Sequence, residues 1–232
     1  LCAPERELIN HTFMLLNPQD RSLISKTRNF IEGFGDLMYE WIIKGNKNIT
    51  QAMYDMNPNA KNYETSYEIS KGVFHNVAYG PRLVEQLPEI LELLAITEGA
   101  TRRANIMILD ADDRHVGLAL EKGETKCEYP CTLGFNFRIR NGRLDMITSM
   151  RSNNYTTTVV QDIYVFTRIQ EFMARMLRAR VGIYYHYTQS GHVFEQDVIR
   201  AKLILDEYIE AIPNDDRDTY LHWRDSYEAI PG

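Results

Sequence analysis

Residues 131–150 read CTLGFNFRIRNGRLDMITSM. Leu133, Phe135, Phe137 and Ile139 alternate with other residues, the period of a strand with one buried face. Asn141-Gly142 is a dipeptide that suits a two-residue hairpin turn, where both positions need positive φ, and Leu144 to Met150 then returns. The segment predicts a β-hairpin. On its C-terminal side, Ile163, Phe166, Ile169, Met173 and Leu177 mark one face of a long helix. Ile183 to Tyr187 follows as a strand and Val198 to Ile209 as a further helix. On its N-terminal side, Ala104 to Leu109 predicts a buried strand running into the acidic turn Asp110-Ala111-Asp112-Asp113. Leu83 to Ile96 and Phe30 to Ile43 have apolar residues at helical spacing, and Gly45 sits where the second of these would stop. His11 to Leu16 reads as a short strand closed by Asn17-Pro18. The turn-rich stretch from Asn57 to Asn62 is too short for a linker, so residues 1–232 are expected to form a single α/β domain of mixed α+β type.

Composition narrows the functional classes. Hydrophobic residues make up 44% and charged residues 25% of the 232, which excludes disordered and fibrous chains. A net charge of −6 argues against a broad nucleic-acid or membrane-binding face, while leaving room for a local anion site. No apolar run approaches the ~20 residues of a bilayer span, and no basic-then-apolar leader opens the sequence. Cys2, Cys127 and Cys131 are odd in number and unevenly spaced, so a disulfide framework is not expected. A soluble, cytoplasmic protein without nucleic-acid or membrane partners is the expectation.

Cys131 carries the candidate chemistry. It follows Pro130 and immediately precedes the hairpin, whose second strand runs out at Met150-Arg151-Ser152-Asn153-Asn154. A guanidinium near a thiol stabilises the thiolate. A free cysteine is also, and more commonly, a small buried hydrophobe. Cys127, between Lys126 and Glu128, is the internal comparison: it reads as a loop residue with no such partner.

Tyr129-Pro130-Cys131-Thr132, the hairpin and Met150 to Asn154 resemble the nucleophile and phosphate-binding segments of the thymidylate synthase superfamily, most of all its pyrimidine-nucleotide (dCMP or CMP) hydroxymethylases. Asn17-Pro18-Gln19-Asp20-Arg21, Ala78-Tyr79-Gly80-Pro81-Arg82, Thr101-Arg102-Arg103-Ala104 and Ser190-Gly191-His192-Val193-Phe194 match in the family's order. The resemblance covers about Glu5 to Asp197. It implies a thymidylate synthase-like fold whose large mixed sheet forms a homodimer interface. It also implies a pyrimidine nucleoside monophosphate as substrate and 5,10-methylenetetrahydrofolate as cofactor. By the same resemblance Cys131 is the thiolate that adds to carbon 6 of the pyrimidine, making carbon 5 a nucleophile toward the one-carbon unit. Arg21, Arg151 and Ser152 would hold the phosphate, with Arg102 and Arg103 reaching it from the partner subunit. Taken alone, the Arg102-Arg103 pair is equally a solvated turn before a strand.

Asp162 falls where the synthases carry an asparagine that reads the uracil edge. Cytosine presents the opposite pattern, an acceptor ring nitrogen beside a donor amine, and a protonated carboxyl matches it. An aspartate starting a helix that faces the macrodipole is the plainer alternative. His192 matches the family histidine that contacts the sugar hydroxyl. The family's next tyrosine is Phe194 here, which leaves ribose and deoxyribose both open. The family's catalytic glutamate, matched without gaps, falls on Met38, and Asp36 and Glu40 are the nearest carboxylates. Thr158 replaces a family glycine. The synthases also close their site with a short apolar tail; Glu228-Ala229-Ile230-Pro231-Gly232, after Arg224-Asp225-Ser226, is no clear equivalent. Methyl transfer needs a dry, sealed site, whereas hydroxymethyl transfer needs water beside the one-carbon unit. The expectation is therefore folate-dependent hydroxymethylation of CMP or dCMP. The alternatives are a thymidylate synthase, a dUMP hydroxymethylase, or a family member that binds nucleotides without turnover.

Overall fold

The computed structural model describes residues 4–28, 32–64, 66–70 and 73–211. The predicted hairpin is present as β5 (Thr132–Arg140) and β6 (Arg143–Asn154), with Asn141 and Gly142 both at positive φ (51° and 68°) as the tight turn demands. These strands sit inside a five-stranded sheet. β1 (Glu5–Leu15) pairs antiparallel with β7 (Arg180–Phe194), which runs parallel to β6, and β4 (Asn105–Met107) closes the other edge beyond β5. The parallel β6–β7 pair needs a crossover, and α5 (Val159–Met176) supplies it across one face. Leu144, Met146 and Met150 of β6 and Tyr184 of β7 bury on that face against Val165, Phe166, Ile169 and Met173 of α5. Burial of side chains at alternate strand positions against a helical stripe is what the two periodicities dictate.

Two further helices complete the core. α1 (Glu32–Ile43) and α3 (Tyr79–Ile96) contribute Phe34, Trp41, Ile42, Leu83, Leu87 and Leu94. The short α2 (Gln51–Met56) and a 3-10 turn at Pro58–Glu64 follow α1, and β2 (Ser66–Ser70) and β3 (Val73–Asn76) form a separate two-stranded ribbon. α4 (Asp113–Glu121) lies between β4 and the hairpin, and α6 (Val198–Ala211) ends the described chain. The alternation of strands and helices is the expected mixed α/β class. Among the described residues no helix is long and apolar enough to cross a membrane.

The departures from the sequence expectation have local causes. β1 begins six residues before His11, because an edge strand satisfied by one neighbour accommodates the charged run Glu5-Arg6-Glu7, which also protects an edge. α3 begins at Tyr79 rather than Leu83, since Pro81 in a first turn lacks only an N–H that would have no helical partner there. α4 was not predicted as a helix. Its Asp113 is fully buried and binds Arg82 of α3 through two parallel bonds of 2.7 and 2.8 Å, also accepting from the Asp110 N–H at 2.7 Å. The acidic turn is thus a buried anchor for Arg82. The C-terminal residues 224–232 lie outside the described residues.

Candidate active site

The hairpin's first strand is irregular where it begins. The pairing shifts between Thr132 and Gly134, and a Cβ at Gly134 would run into the Ile106 carbonyl of β4, an approach that only glycine permits. Such a bulge re-aims the residues beside it. Cys131 lies immediately before it, held by the Tyr79 hydroxyl, which accepts from the N–H groups of Cys131 and Thr132 at 3.1 Å each. From β6, Arg151 donates to the carbonyls of Pro130 (2.9 Å) and Tyr129 (3.2 Å), lies 4.6 Å over the Tyr129 ring, and brings one guanidinium nitrogen to 3.6 Å from Cys131 Sγ.

The thiol opens into a cavity of about 280 Å³. Its walls include Met38, Trp41 and Ile42 from α1, Tyr63, Val77 and Tyr79, the segment Glu128 to Cys131, and Thr158, Asp162 and Val165 from the start of α5. An adjoining hollow of about 400 Å³ shares Met38, Tyr63, Thr158 and Asp162 and adds Arg28, Thr157 and Gln161. Burial pushes the Cys131 thiol up, and Asp162 and Glu128 add to this while Arg151 pulls it down. The resting group is therefore a thiol: the guanidinium lowers the cost of ionising it but does not overcome desolvation, contrary to the simplest reading of the Arg151 neighbourhood. Cys127 is different. It is buried in a small apolar cluster with Val77 and Val116, outside the cavity lining.

Asp162 is surrounded by protein although its residue surface is reached from the cavity. Burial pushes its carboxyl up to about 7, against the opposing effect of a hydrogen bond from Asn153. Asn153 Nδ2 donates to Asp162 Oδ2 at 2.6 Å and lies 3.3 Å from Thr158 Oγ1. With Asn153 donating to Oδ2, the other oxygen, Oδ1, to which no described residue hydrogen-bonds, is available to carry a proton. With the folded value raised from 3.8, the stabilising contribution is complete below about pH 4 and is lost as pH rises towards about 7, at about 1.4 kcal/mol per pH unit. Thermal unfolding at pH 5 and pH 8 should thus show a larger loss for wild type than for Asp162→Asn; parallel losses would mean that Asp162 is not buried as described.

Other predicted residues are distributed as follows. Ser152 Oγ and His192 Nδ1 approach to 3.4 Å on neighbouring strands, with Phe194 against the His192 ring at 5.2 Å between centroids. Arg21 is held by Glu171 of α5 at 2.8 Å and by the Pro18 carbonyl at 3.0 Å, and does not line the cavity. Arg102 and Arg103 are exposed beside β4, also away from it. The five predicted phosphate ligands are therefore not gathered within one chain. Asp36 and Glu40 need correction as cavity carboxylates. Asp36 is taken by Arg168 and by the Tyr164 hydroxyl (3.0 Å), and Glu40 is an exposed partner of Lys44. Helical phase explains it: Met38, Trp41 and Ile42, at i, i+3 and i+4, face the cavity, which leaves 36 and 40 on another side. Glu128, in sequence a loop neighbour of Cys127, does line the cavity.

A thiol beside a guanidinium and a buried, protonatable carboxyl thus line one mostly apolar cavity. The chain belongs to the thymidylate synthase family, whose family model matches residues 40–215. It is similar to the "Deoxyuridylate hydroxymethyltransferase" of Bacillus phage SP01, with 29% identity over 197 residues, covering 78% of this chain and 48% of that protein. It is also similar to the "Putative thymidylate synthase" of Methanosarcina acetivorans, with 23% identity over 125 residues, covering 51% of this chain and 53% of that protein. The chain spans about half the length of the curated relatives it matches. Enzymes of this family take their one-carbon unit from 5,10-methylenetetrahydrofolate.

Proposed function

We propose that the chain hydroxymethylates carbon 5 of a cytidine monophosphate, CMP or dCMP, through a covalent adduct between Cys131 and the pyrimidine. The observation that carries this reading is the presence of the Cys131 thiol and the Asp162 carboxyl on the walls of one cavity. The ring lies with carbon 6 at Sγ and its polar edge at Asp162. With its proton on Oδ1, Asp162 donates to the ring nitrogen of cytosine, and Oδ2 has a remaining lone pair for the amine. Arg151 keeps the Pro130-Cys131 segment in place and stabilises the thiolate as it forms. Tyr79 fixes the same segment from the backbone side.

Methylenetetrahydrofolate supplies a carbon at the oxidation level of formaldehyde. The residues present fit its flat pterin: Met38, Trp41, Ile42 and Val77 make an apolar wall, with Trp41 held by an Nε1–H bond of 2.9 Å to the Asn48 carbonyl. Glu128, on the cavity wall, is exposed to solvent. Access for water there favours a hydroxymethyl over a methyl product. A second reading, action on deoxyuridylate, is favoured by the name of the phage relative. Specificity constants for CMP, dCMP, UMP and dUMP distinguish the two.

The reading includes a homodimer formed through the outer face of the five-stranded sheet, with Arg102 and Arg103 completing the partner's phosphate site. Its support is the exposure of both arginines away from their own cavity. Mixing an inactive Cys131→Ala protein with an inactive Arg103→Ala protein should restore up to about a quarter of the activity, since some hybrid sites regain both groups. No restoration after verified subunit exchange would remove the shared site.

A further inference from the structure

The reaction proposed above must remove a proton from carbon 5 and then supply a water, so a proton acceptor is needed beside the ring. Among the described residues, the only carboxylates on the walls of the cavity and its adjoining hollow are Asp162 and Glu128. Asp162 is bound by Asn153 through Oδ2 and faces the polar edge of the base. From α1 the cavity receives Met38, which takes no proton. Glu128 is three residues before Cys131, lines the same cavity, and is open to solvent on its other side. We infer that Glu128 is the catalytic base, accepting the carbon-5 proton and ordering the water that adds to the one-carbon unit. This rests on the proposed covalent mechanism.

The carbon-5–hydrogen bond breaks and its proton passes to the Glu128 carboxylate, while the electron pair forms a double bond from carbon 5 to the exocyclic carbon. The bond from that carbon to the donor's nitrogen breaks, and the nitrogen departs with the pair and with the proton that Glu128 returns. Water then adds its oxygen to the exocyclic carbon and gives its proton to Glu128. The electrons pushed into the ring expel the Cys131 thiolate from carbon 6 and restore the ring double bond. Burial raises the Glu128 carboxyl from its ordinary value and the Arg151 guanidinium opposes this.

Wild type, Glu128→Gln and Glu128→Asp, each incubated with methylenetetrahydrofolate, test the inference in two assays. The first follows turnover and tritium release from a nucleotide labelled at carbon 5. The second uses the corresponding 5-fluoro nucleotide, whose fluorine cannot leave as a proton does, and weighs the trapped protein adduct. Glu128→Gln should lose at least about 100-fold in both turnover and tritium release. It should still form the fluoro adduct to the wild-type extent, and Glu128→Asp should recover part of the rate. Turnover of Glu128→Gln within about threefold of wild type would overturn the inference, as would a proportional loss of adduct in that variant. Absence of adduct in wild type would instead remove the covalent mechanism on which it rests.

Discussion

Replacing Cys131 by alanine should abolish turnover, by at least about 10,000-fold, while nucleotide binding changes little. Loss of a covalent nucleophile removes the whole two-step route rather than one increment of it. Binding, in contrast, depends on the cavity walls and on Asp162, which the substitution leaves intact. Cys127→Ser is the control. Its thiol packs with Val77 and Val116 and lies outside the cavity lining, so that variant should show reduced stability with a near-normal rate per folded molecule. Single-turnover rates, with nucleotide affinity measured separately, separate the two. Substantial activity in Cys131→Ala, or an equal loss of rate per folded molecule in Cys127→Ser, would end the assignment of the nucleophile.

Asp162→Asn should erode or invert the choice of base. A site that pairs fully with cytosine leaves buried polar groups unpaired against uracil, at about 1–3 kcal/mol per group. Wild type should therefore prefer cytosine nucleotides by about tenfold to a hundredfold or more, at about 1.4 kcal/mol per decade. The preference should be greatest below about pH 7, where Asp162 holds its proton, and should narrow as the carboxyl ionises above it. The amide can accept from N3–H of uracil and donate to its carbonyl, so the variant should gain on UMP and dUMP while retaining the thiol chemistry. Specificity constants for the four nucleotides at pH 6 and pH 8 give the answer. A wild-type preference for uracil, or a uniform loss on all four in the variant, would reduce Asp162 to a helix-start residue.

The hairpin and α5 were legible because each repeats its burial pattern over many residues: alternate positions from Leu133 to Ile139, and a helical stripe from Ile163 to Leu177. The two-residue turn fixed the register between the strands. β1 and α4 were harder, since the reasons for both lie elsewhere in the chain. β1 is drawn out by pairing with β7, and α4 by the buried Asp113 that answers Arg82. In the candidate site, Cys131 and Asp162 could be placed from motif order, as each lies at the end of a regular element. Spacing alone separates Asp36 and Glu40 from the cavity, because the apolar stripe through Phe34, Met38, Trp41 and Ile42 excludes both from its face. Glu128 gave no such signal. It lies in an irregular polar stretch, and only the fold of that stretch over Tyr79 and against Arg151 turns it to the cavity.

Hydroxymethylation of a cytosine nucleotide is tested by incubating the protein with methylenetetrahydrofolate and each of CMP, dCMP, UMP and dUMP, and weighing the nucleotide products. Hydroxymethylation gives a product that has gained one carbon, two hydrogens and one oxygen, formed fastest from a cytosine nucleotide and absent with the Cys131→Ala protein. A product that has gained only carbon and two hydrogens, or the same product from Cys131→Ala, would contradict it.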